Sequence, residues 1–574
     1  MADPAKNVHI SNRARETNTY DVIVVGSGIS GGWAAKEFAE KGFKTLLLER
    51  GRNVEHVKDY PTASLNPWEF DHRLVNPEKE KTENPVQSTV YDESNKHFFV
   101  SDKDHPYIQN DPFHWIRGYQ VGGRSLMWGR QCYRWSDLDF EANAKDGVGV
   151  DWPIRYKDIE PWYTYVERFV GISGSCEGLP HLPDGDFLPP MAMNALELRF
   201  KDEIKKKFPD RLVTIARLAN LSRGWNGRGP CQYRNLCSRG CPFGGYFSSN
   251  SATIPVAMAT GNLTLRPFSI VAEVLYDKEN RQAKGVRVVD TETKESIEFF
   301  AKVIFLNAST IASAAILLQS KSDAFPEGMG NGSGQLGRNL MDHHFRIGAE
   351  AQYEGLMDQY YVGRRPGGIY IPRFRNVNEA TKRKDYIRGF GIQADAERRS
   401  WYDTVKHTEG FGKDFKEQLI SPGIWTMWMG AWGETLPYEE NKVTLDENKT
   451  DKWGIPLVKI DFSFRDNEKA MRKDMKESAM EMLHEAGLKN VTGFDYSSVG
   501  GDCVHEMGTA RMGHDPKTSV LNKWNQLHEV KNVFITDGSC MTSSACQNPS
   551  LTYMALTARA CDFAVSEMKK GSLG

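Results

Sequence analysis

A β-branched run that ends in a glycine loop and then opens a helix leaves a chain few folds to adopt. Residues Tyr20–Gly51 read YDVIVVGSGISGGWAAKEFAEKGFKTLLLERG. Asp21–Val25 has the character of a buried strand. Gly26-Ser27-Gly28-Ile29-Ser30-Gly31 follows as a G-x-G-x-x-G, and a helix runs on to about Lys41. Gly42 closes that helix, and Lys44–Leu48 is a second apolar strand ending at Glu49. Each glycine meets a need of dinucleotide binding: Gly26 permits the tight turn, Gly28 lets backbone approach a pyrophosphate, and Gly31 lets helix pack on strand. The helix N-terminus, with Ser30 in its first turn, offers N–H groups and a partial positive charge to the phosphates. Glu49, eighteen residues past Gly31, is placed to accept hydrogen bonds from a ribose hydroxyl, with Arg50 beside it. A glycine loop alone is weak evidence. Strand, glycines, helix, second strand and terminal acid in that order specify a dinucleotide site.

With 574 residues the chain holds at least two domains. Its 40% hydrophobic and 26% charged content is that of an ordinary soluble globular protein. A formal charge of −2 gives no electrostatic case for nucleic acid. The most apolar stretch, Val303–Leu318, contains Asn307, Ser309, Thr310 and Ser313, so it reads as a buried strand and helix. The first residues, MADPAKNVHISNRARETNTYD, show no apolar signal-peptide core, which leaves export in company with a partner subunit. Nine cysteines, odd in number and mostly scattered, argue against a disulfide framework.

Asn53–Asp111 is polar and aperiodic, too long for a plain connection, and reads as an ordered excursion or lid. RGYQVGGRSLMW (Arg117–Trp128) brings paired glycines, Gly122 and Gly123, suited to close approach by a ligand. Asn262–Val274 and Ala283–Val289 read as strands, followed by Lys302–Leu306 and a helix from Ser309. From Ile347 to about Ser497 the pattern changes to alternating runs such as Ile369–Arg375 and Gly423–Gly433, with one helix near Glu468–Ala486. That is the pattern of a separate antiparallel sheet. Cys503 onward returns to nucleotide-type signals: HEMGTARMG (His505–Gly513), a strand at Asn532–Thr536, Asp537-Gly538-Ser539, and QNPSLT (Gln547–Thr552) opening a long helix to about Met568. Asn548 is expected at that helix's N-cap, with Pro549 just inside. The expected architecture is α/β: a Rossmann-like domain of residues 19–150, 225–345 and 500–574, and a β-sheet-based domain of 151–224 and 346–499.

The glycine loop with Glu49, GGRSLMWG, WPIRYKDIEPWY, LGRNLMDH, HEMGTARMG and TDGS…NPSLT together resemble the glucose–methanol–choline oxidoreductase family over nearly the whole chain. The resemblance implies the family's fold, FAD, and oxidation of an alcohol to a carbonyl. Within the family it extends to pyranose 2-oxidase and to bacterial sugar and glucoside 3-dehydrogenase catalytic subunits. The family's catalytic pair falls on His505 and Asn548. Chemistry agrees, since hydride removal from a carbinol needs a base for the hydroxyl proton and neutral imidazole suits that task. The cofactor set implied is Gly26, Gly28, Ser30, Gly31, Glu49, Arg50, Gly122, Gly123, Ser125, Trp128, Val271, Asp537, Asn548 and Pro549. His343 and His344 are read as structural or flavin-adjacent. Met127 stands where pyranose 2-oxidase has its flavin-linked histidine, so the FAD is expected to be non-covalent.

Cys231, Cys237 and Cys241 cluster within eleven residues, which flavin chemistry does not require. Structural zinc wants a fourth ligand, and no Cys or His lies nearby in sequence. Clustered soft thiolates suit iron–sulfur ligation, and the spacing resembles that of sugar dehydrogenases with a [3Fe-4S] centre. Such a centre implies a dehydrogenase that passes electrons to a c-type cytochrome or quinone, with a small partner subunit that exports it to the periplasm and provides its only link to a membrane. An oxygen-using pyranose oxidase, another polyol or gluconate dehydrogenase, and a non-redox lyase on the same scaffold are the rivals. For the substrate, a sugar or glycoside, Trp428 and Trp432 share strand parity across Gly430, and Gln393 lies in another strand-like run. Core packing accounts for at least one of Trp425, Trp428 and Trp432.

Overall fold

The computed structural model describes residues 18–360, 363–398, 409–420, 423–496 and 498–573. Thr19–Val25 is a central strand because both of its faces are apolar. Ile23 and Val25 enter one core and Val22 and Val24 another, as strand alternation requires. It pairs in parallel with Thr45–Leu48 and with Ser296–Leu306, and Leu263–Arg266 extends the sheet beyond Thr45–Leu48. Gln282–Asp290 and Ser269–Asp277 add antiparallel strands on the far side of Ser296–Leu306. Val533–Ile535 comes back from the other end of the chain to pair in parallel with Ile304–Leu306, completing seven strands. Helices Ile29–Glu40 and Ser550–Lys569 pack on one another beside this sheet.

The single strand expected over Asn262–Val274 is two, Leu263–Arg266 and Ser269–Asp277. Pro267 cannot donate to a ladder, and Phe268 takes a left-handed φ of 55°, which turns the chain between them.

The second sheet has six strands in the order Lys489–Asp495, Ile347–Tyr353, Trp425–Gly433, Phe390–Arg398, Ile369–Ile371 and Thr214–Ile215, antiparallel throughout. The strand expected to reach Arg375 stops at Ile371, before Pro372. Helix Asp466–Glu485 covers one face, burying Met471, Met475, Ala479, Met482 and Leu483 against Ile347, Ala349, Met427 and Met429. Trp425 belongs to that core, 1% exposed. Trp428, Gly430 and Trp432 therefore face the opposite side.

The excursion between Asn53 and Asp111 is short turns and helices, including Glu78–Glu83. Its end is tied down: Ile108–Gln109 pairs with Lys459 and Ile460 of Pro456–Asp461. Among the described residues no helix is long and apolar enough to cross a membrane.

Candidate active site

The glycine loop is built to leave a space. Gly26 takes φ of 90°, and a Cβ there would stand 2.3 Å from the carbonyl oxygen of Asn307. A Cβ on Gly31 would stand 1.7 Å from the Gly26 oxygen. A Cβ on Gly28 would meet nothing within 4 Å, although the residue N-caps the helix and no side-chain oxygen caps it. An open cradle at the positive end of a helix fits a pyrophosphate. The Gly122–Gly123 turn closes on the same loop, with Gly122 N–H donating to Ser27 Oγ at 2.9 Å and Gly123 facing Gly28. Ser125 Oγ donates to the Gly122 carbonyl and accepts from Ser249 N–H, whose own hydroxyl donates to the Gly28 carbonyl.

Glu49 is buried, and its carboxylate accepts from Ser27 N–H, Ser27 Oγ–H and Gly51 N–H. Burial raises its pKa, and those donors work against the rise. The strand carrying Val271 starts at Ser269, whose N–H bonds the Glu49 carbonyl at 2.8 Å. Arg50 lays its guanidinium 4.0 Å over the Tyr119 ring. Trp128 donates from its indole to the Phe247 carbonyl at 2.9 Å. Ser30 Oγ bonds the Thr536 carbonyl, next to Asp537. The Asp537 carboxylate accepts from Ser309 N–H and Ser313 Oγ–H. These residues fit FAD, and Met127, packed beside Val54, Tyr60 and Phe98, offers only a thioether.

His505 follows a strained turn. Val504, β-branched, has φ of 57°, and the Asp342 carboxylate clamps the turn by accepting N–H bonds from Cys503 at 3.2 Å and His505 at 3.0 Å. Asn548 Nδ2 lies 3.3 Å from His505 Nε2, so the expected pair is brought together. The N-cap of the last helix is Pro549, not Asn548. The Asn548 amide turns away to His505 and accepts at Oδ1 from Gln393 Nε2–H at 2.9 Å. The second sheet thus reaches the catalytic pair through Gln393, opposite Gly430 in the ladder.

Sequence reasoning missed three neighbours. His343 Nδ1 lies 3.0 Å from His505 Nδ1, and His343 Nε2 lies 3.2 Å from the Ser544 carbonyl. A carbonyl only accepts, so His343 carries its proton on Nε2 and presents a lone pair at Nδ1. His505 must then donate from Nδ1, which leaves Nε2 as a free base toward Asn548. Cys503 Sγ stands 3.2 Å from the same Nδ1. Arg124 pairs through both nitrogens with Glu506, at 3.0 and 2.6 Å, joining the Gly122 turn to the catalytic segment. The signals were present in the Asp-His-His run and the arginine of GGRS, but neither states its partner.

Burial, then His343 and Arg124, hold His505 well below the ordinary imidazole range. Burial lowers His343 to about 4. Burial raises Asp342 well above the carboxylate range, with Glu506 adding to it. Burial opposes the Arg124 charge, but Glu506 outweighs it and the pKa is raised. His344 is buried against Gly433 and is held neutral by burial.

On the sheet face, Trp428 is 37% exposed and its ring lies over Gly430. It sits edge-on to Trp432 and parallel to Phe494, both at 6.2 Å, and Phe494 is stacked on Tyr496. Trp432 is stacked with Phe345.

Cys231, Cys237 and Cys241 are free thiols, half-buried in one looped segment. Burial raises Cys231, and the other two thiols add to it, so the three share one electrostatic neighbourhood. Tyr233 N–H donates to Cys231 Sγ at 3.5 Å and Gly245 N–H to Cys241 Sγ at 3.3 Å. Among the described residues the group with three ligand atoms mutually within 4.8 Å is His343, Cys503 and His505, so the loop thiols form a more open set.

The GMC oxidoreductase family's N-terminal model matches residues 20–345 and its C-terminal model residues 437–557. The chain is 27% identical to 2-methyl-1,2-propanediol dehydrogenase of Mycolicibacterium austroafricanum, over 95% of this chain and 94% of that one. It is 26% identical to the fructose dehydrogenase large subunit of Gluconobacter japonicus, over 97% and 100%. It is 24% identical to the gluconate 2-dehydrogenase flavoprotein of Pantoea cypripedii, over 95% and 93%. Pyridoxine 4-oxidase from Mesorbium loti superposes with a TM-score of 0.59 at 15% identity, covering 95% of this chain and 99% of that one, which shows a shared fold. The chain therefore belongs to the GMC oxidoreductase family, FAD-dependent oxidoreductases of CH–OH donors.

Proposed function

We propose that this protein is a dehydrogenase that oxidises a secondary hydroxyl of a sugar or glycoside to a ketone, with C3 of a pyranose the favoured position. The observation that carries the reading is the orientation of His505: Nδ1–H is committed to His343, and Nε2 points at Asn548 with a lone pair. A substrate hydroxyl placed between Nε2 and the Asn548 amide donates its proton to His505. Asn548, its amide fixed by Gln393, holds the oxygen and its developing charge. Bound FAD supplies the hydride acceptor, held without a covalent link since Met127 is no nucleophile. Desolvation, with His343 and Arg124 adding to it, keeps the His505 imidazole neutral and ready at neutral pH. Trp428 and Trp432 offer ring faces and edges to a sugar on the sheet side of the pair.

Electrons leave, in this reading, through a [3Fe-4S] centre at Cys231, Cys237 and Cys241 toward a small subunit and a c-type cytochrome or quinone. Co-export with that subunit places the enzyme in the periplasm. The clustering of three half-buried thiols in one segment and their backbone donors support this, as does the relative named as a large subunit. The test is anaerobic absorbance and EPR on the purified chain with a simple β-glucoside. Flavin bleaching with a cluster signal supports the reading, and bleaching without iron refutes the electron route. A second reading, an oxygen-using oxidase, is favoured by the relative named 6'''-hydroxyparomomycin C oxidase. Stoichiometric peroxide would establish it.

A further inference from the structure

We propose that His343, Cys503 and His505 form a binding site for a thiophilic divalent ion such as Zn2+, and that its occupation switches off the base. One ligand atom from each of the three residues lies within 4.8 Å of the other two. His505 Nδ1 is the hub, 3.0 Å from His343 Nδ1 and 3.2 Å from Cys503 Sγ. Tetrahedral zinc with ordinary bond lengths separates two nitrogens by about 3.3 Å and a nitrogen from a sulfur by about 3.5 Å. These two edges need to open by about 0.3 Å each, and the His343–Cys503 edge, within 4.8 Å, closes toward about 3.5 Å by side-chain rotation. Two imidazoles and a thiol are a zinc donor set, and a fourth position stays open to water. The Asp342 carboxylate holds the Cys503 and His505 backbone on both sides of Val504, so the backbone carrying two of the ligands is fixed before an ion arrives. Access is from the half-buried His505 side, where Val504 is 36% exposed.

The proton balance gives the consequence, which rests on the reading of His505 as base. His343 coordinates through the Nδ1 lone pair it already presents. Cys503 loses its thiol proton to solvent. Coordination at His505 Nδ1 displaces the proton there, and the imidazole keeps its single proton at Nε2 instead. Nε2 then faces Asn548 as a donor and no longer accepts from a substrate hydroxyl. The ion silences the base from the ring nitrogen opposite the one that faces Asn548.

The experiment uses the holoenzyme, with Co2+ as spectroscopic probe and Zn2+ as inhibitor of substrate-driven flavin bleaching. Wild type, Cys503→Ser and Cys237→Ser are compared. The expected result is a thiolate-to-cobalt charge-transfer band that persists in Cys237→Ser and disappears in Cys503→Ser. The Zn2+ concentration giving half inhibition should rise more than about tenfold in Cys503→Ser, and a chelator should restore bleaching in wild type. No such band in wild type, which needs no variant, overturns the site, as does a band lost with Cys237 instead. A band at Cys503 with undiminished bleaching overturns the switch and removes His505 from the role of base, a failure distinct from that of the site.

Discussion

Removing the acceptor at His343 should slow proton removal without disturbing substrate or flavin binding. In His343→Phe the His505 Nδ1–H faces a ring carbon in place of a lone pair, and only the weak acceptor Cys503 Sγ remains at 3.2 Å. Leaving a buried donor without its partner costs about 1–3 kcal/mol. That penalty falls on the tautomer with a free Nε2, so the reactive fraction of His505 drops. At about 1.4 kcal/mol per factor of ten, anaerobic flavin reduction at saturating substrate should slow by about 5- to 140-fold. The substrate concentration giving half the limiting rate should barely move, because His343 acts through His505. His343→Gln, whose Oε1 can accept, should recover much of the rate. Rapid mixing under anaerobic conditions reads all three enzymes. A Phe variant within about twofold of wild type, or a Gln variant no better than Phe, would refute the tautomer argument.

Gly28→Ala should fold normally and purify with little FAD, since the new methyl meets no protein atom but enters the cradle. Gly31→Ala should fail earlier, at folding, because its methyl would strike the Gly26 backbone; flavin content and melting temperature separate the two. Arg124→Met should destabilise the protein by about 3–5 kcal/mol, because Glu506 is left buried without its partner, and denaturant unfolding will measure it. His343 titrates at about 4 when folded against about 6.5 unfolded. The unfolded chain binds the extra proton between those values, so this stability is whole above about pH 6.5 and is lost as pH falls toward 4. By about pH 5 the loss from this residue is about 2 kcal/mol, and wild type should lose more melting temperature than His343→Gln over the same range.

Features set by local chemistry were legible before any coordinates. The glycine loop and its flanking strands are specified by residue type at fixed spacing, the His505–Asn548 pair came from the family resemblance, and the structure brings each together. Elements ended elsewhere than expected where proline intervened, at Pro267 and Pro372, since hydrophobic patterning does not register a missing N–H. Asn548 looked like an N-cap because capping is a local preference, and the competing partners His505 and Gln393 are 43 and 155 residues away. His343, Asp342 and Arg124 were hidden for the same reason. Their roles exist only through contacts across 162, 163 and 382 residues of chain, and nothing in DHH or GGRS names the partner. Trp425 and Trp428 differ only in parity, so the choice of which indole lies in the core depends on where the helix Asp466–Glu485 packs.

The most direct test of the central claim is the anaerobic reduction of the bound flavin by a β-glucoside in wild type and in His505→Ala. Rapid bleaching is expected in wild type and its near-abolition in the variant, with flavin content and melting temperature preserved. Bleaching in His505→Ala at close to the wild-type rate would contradict it, and the proton would have to leave by another group.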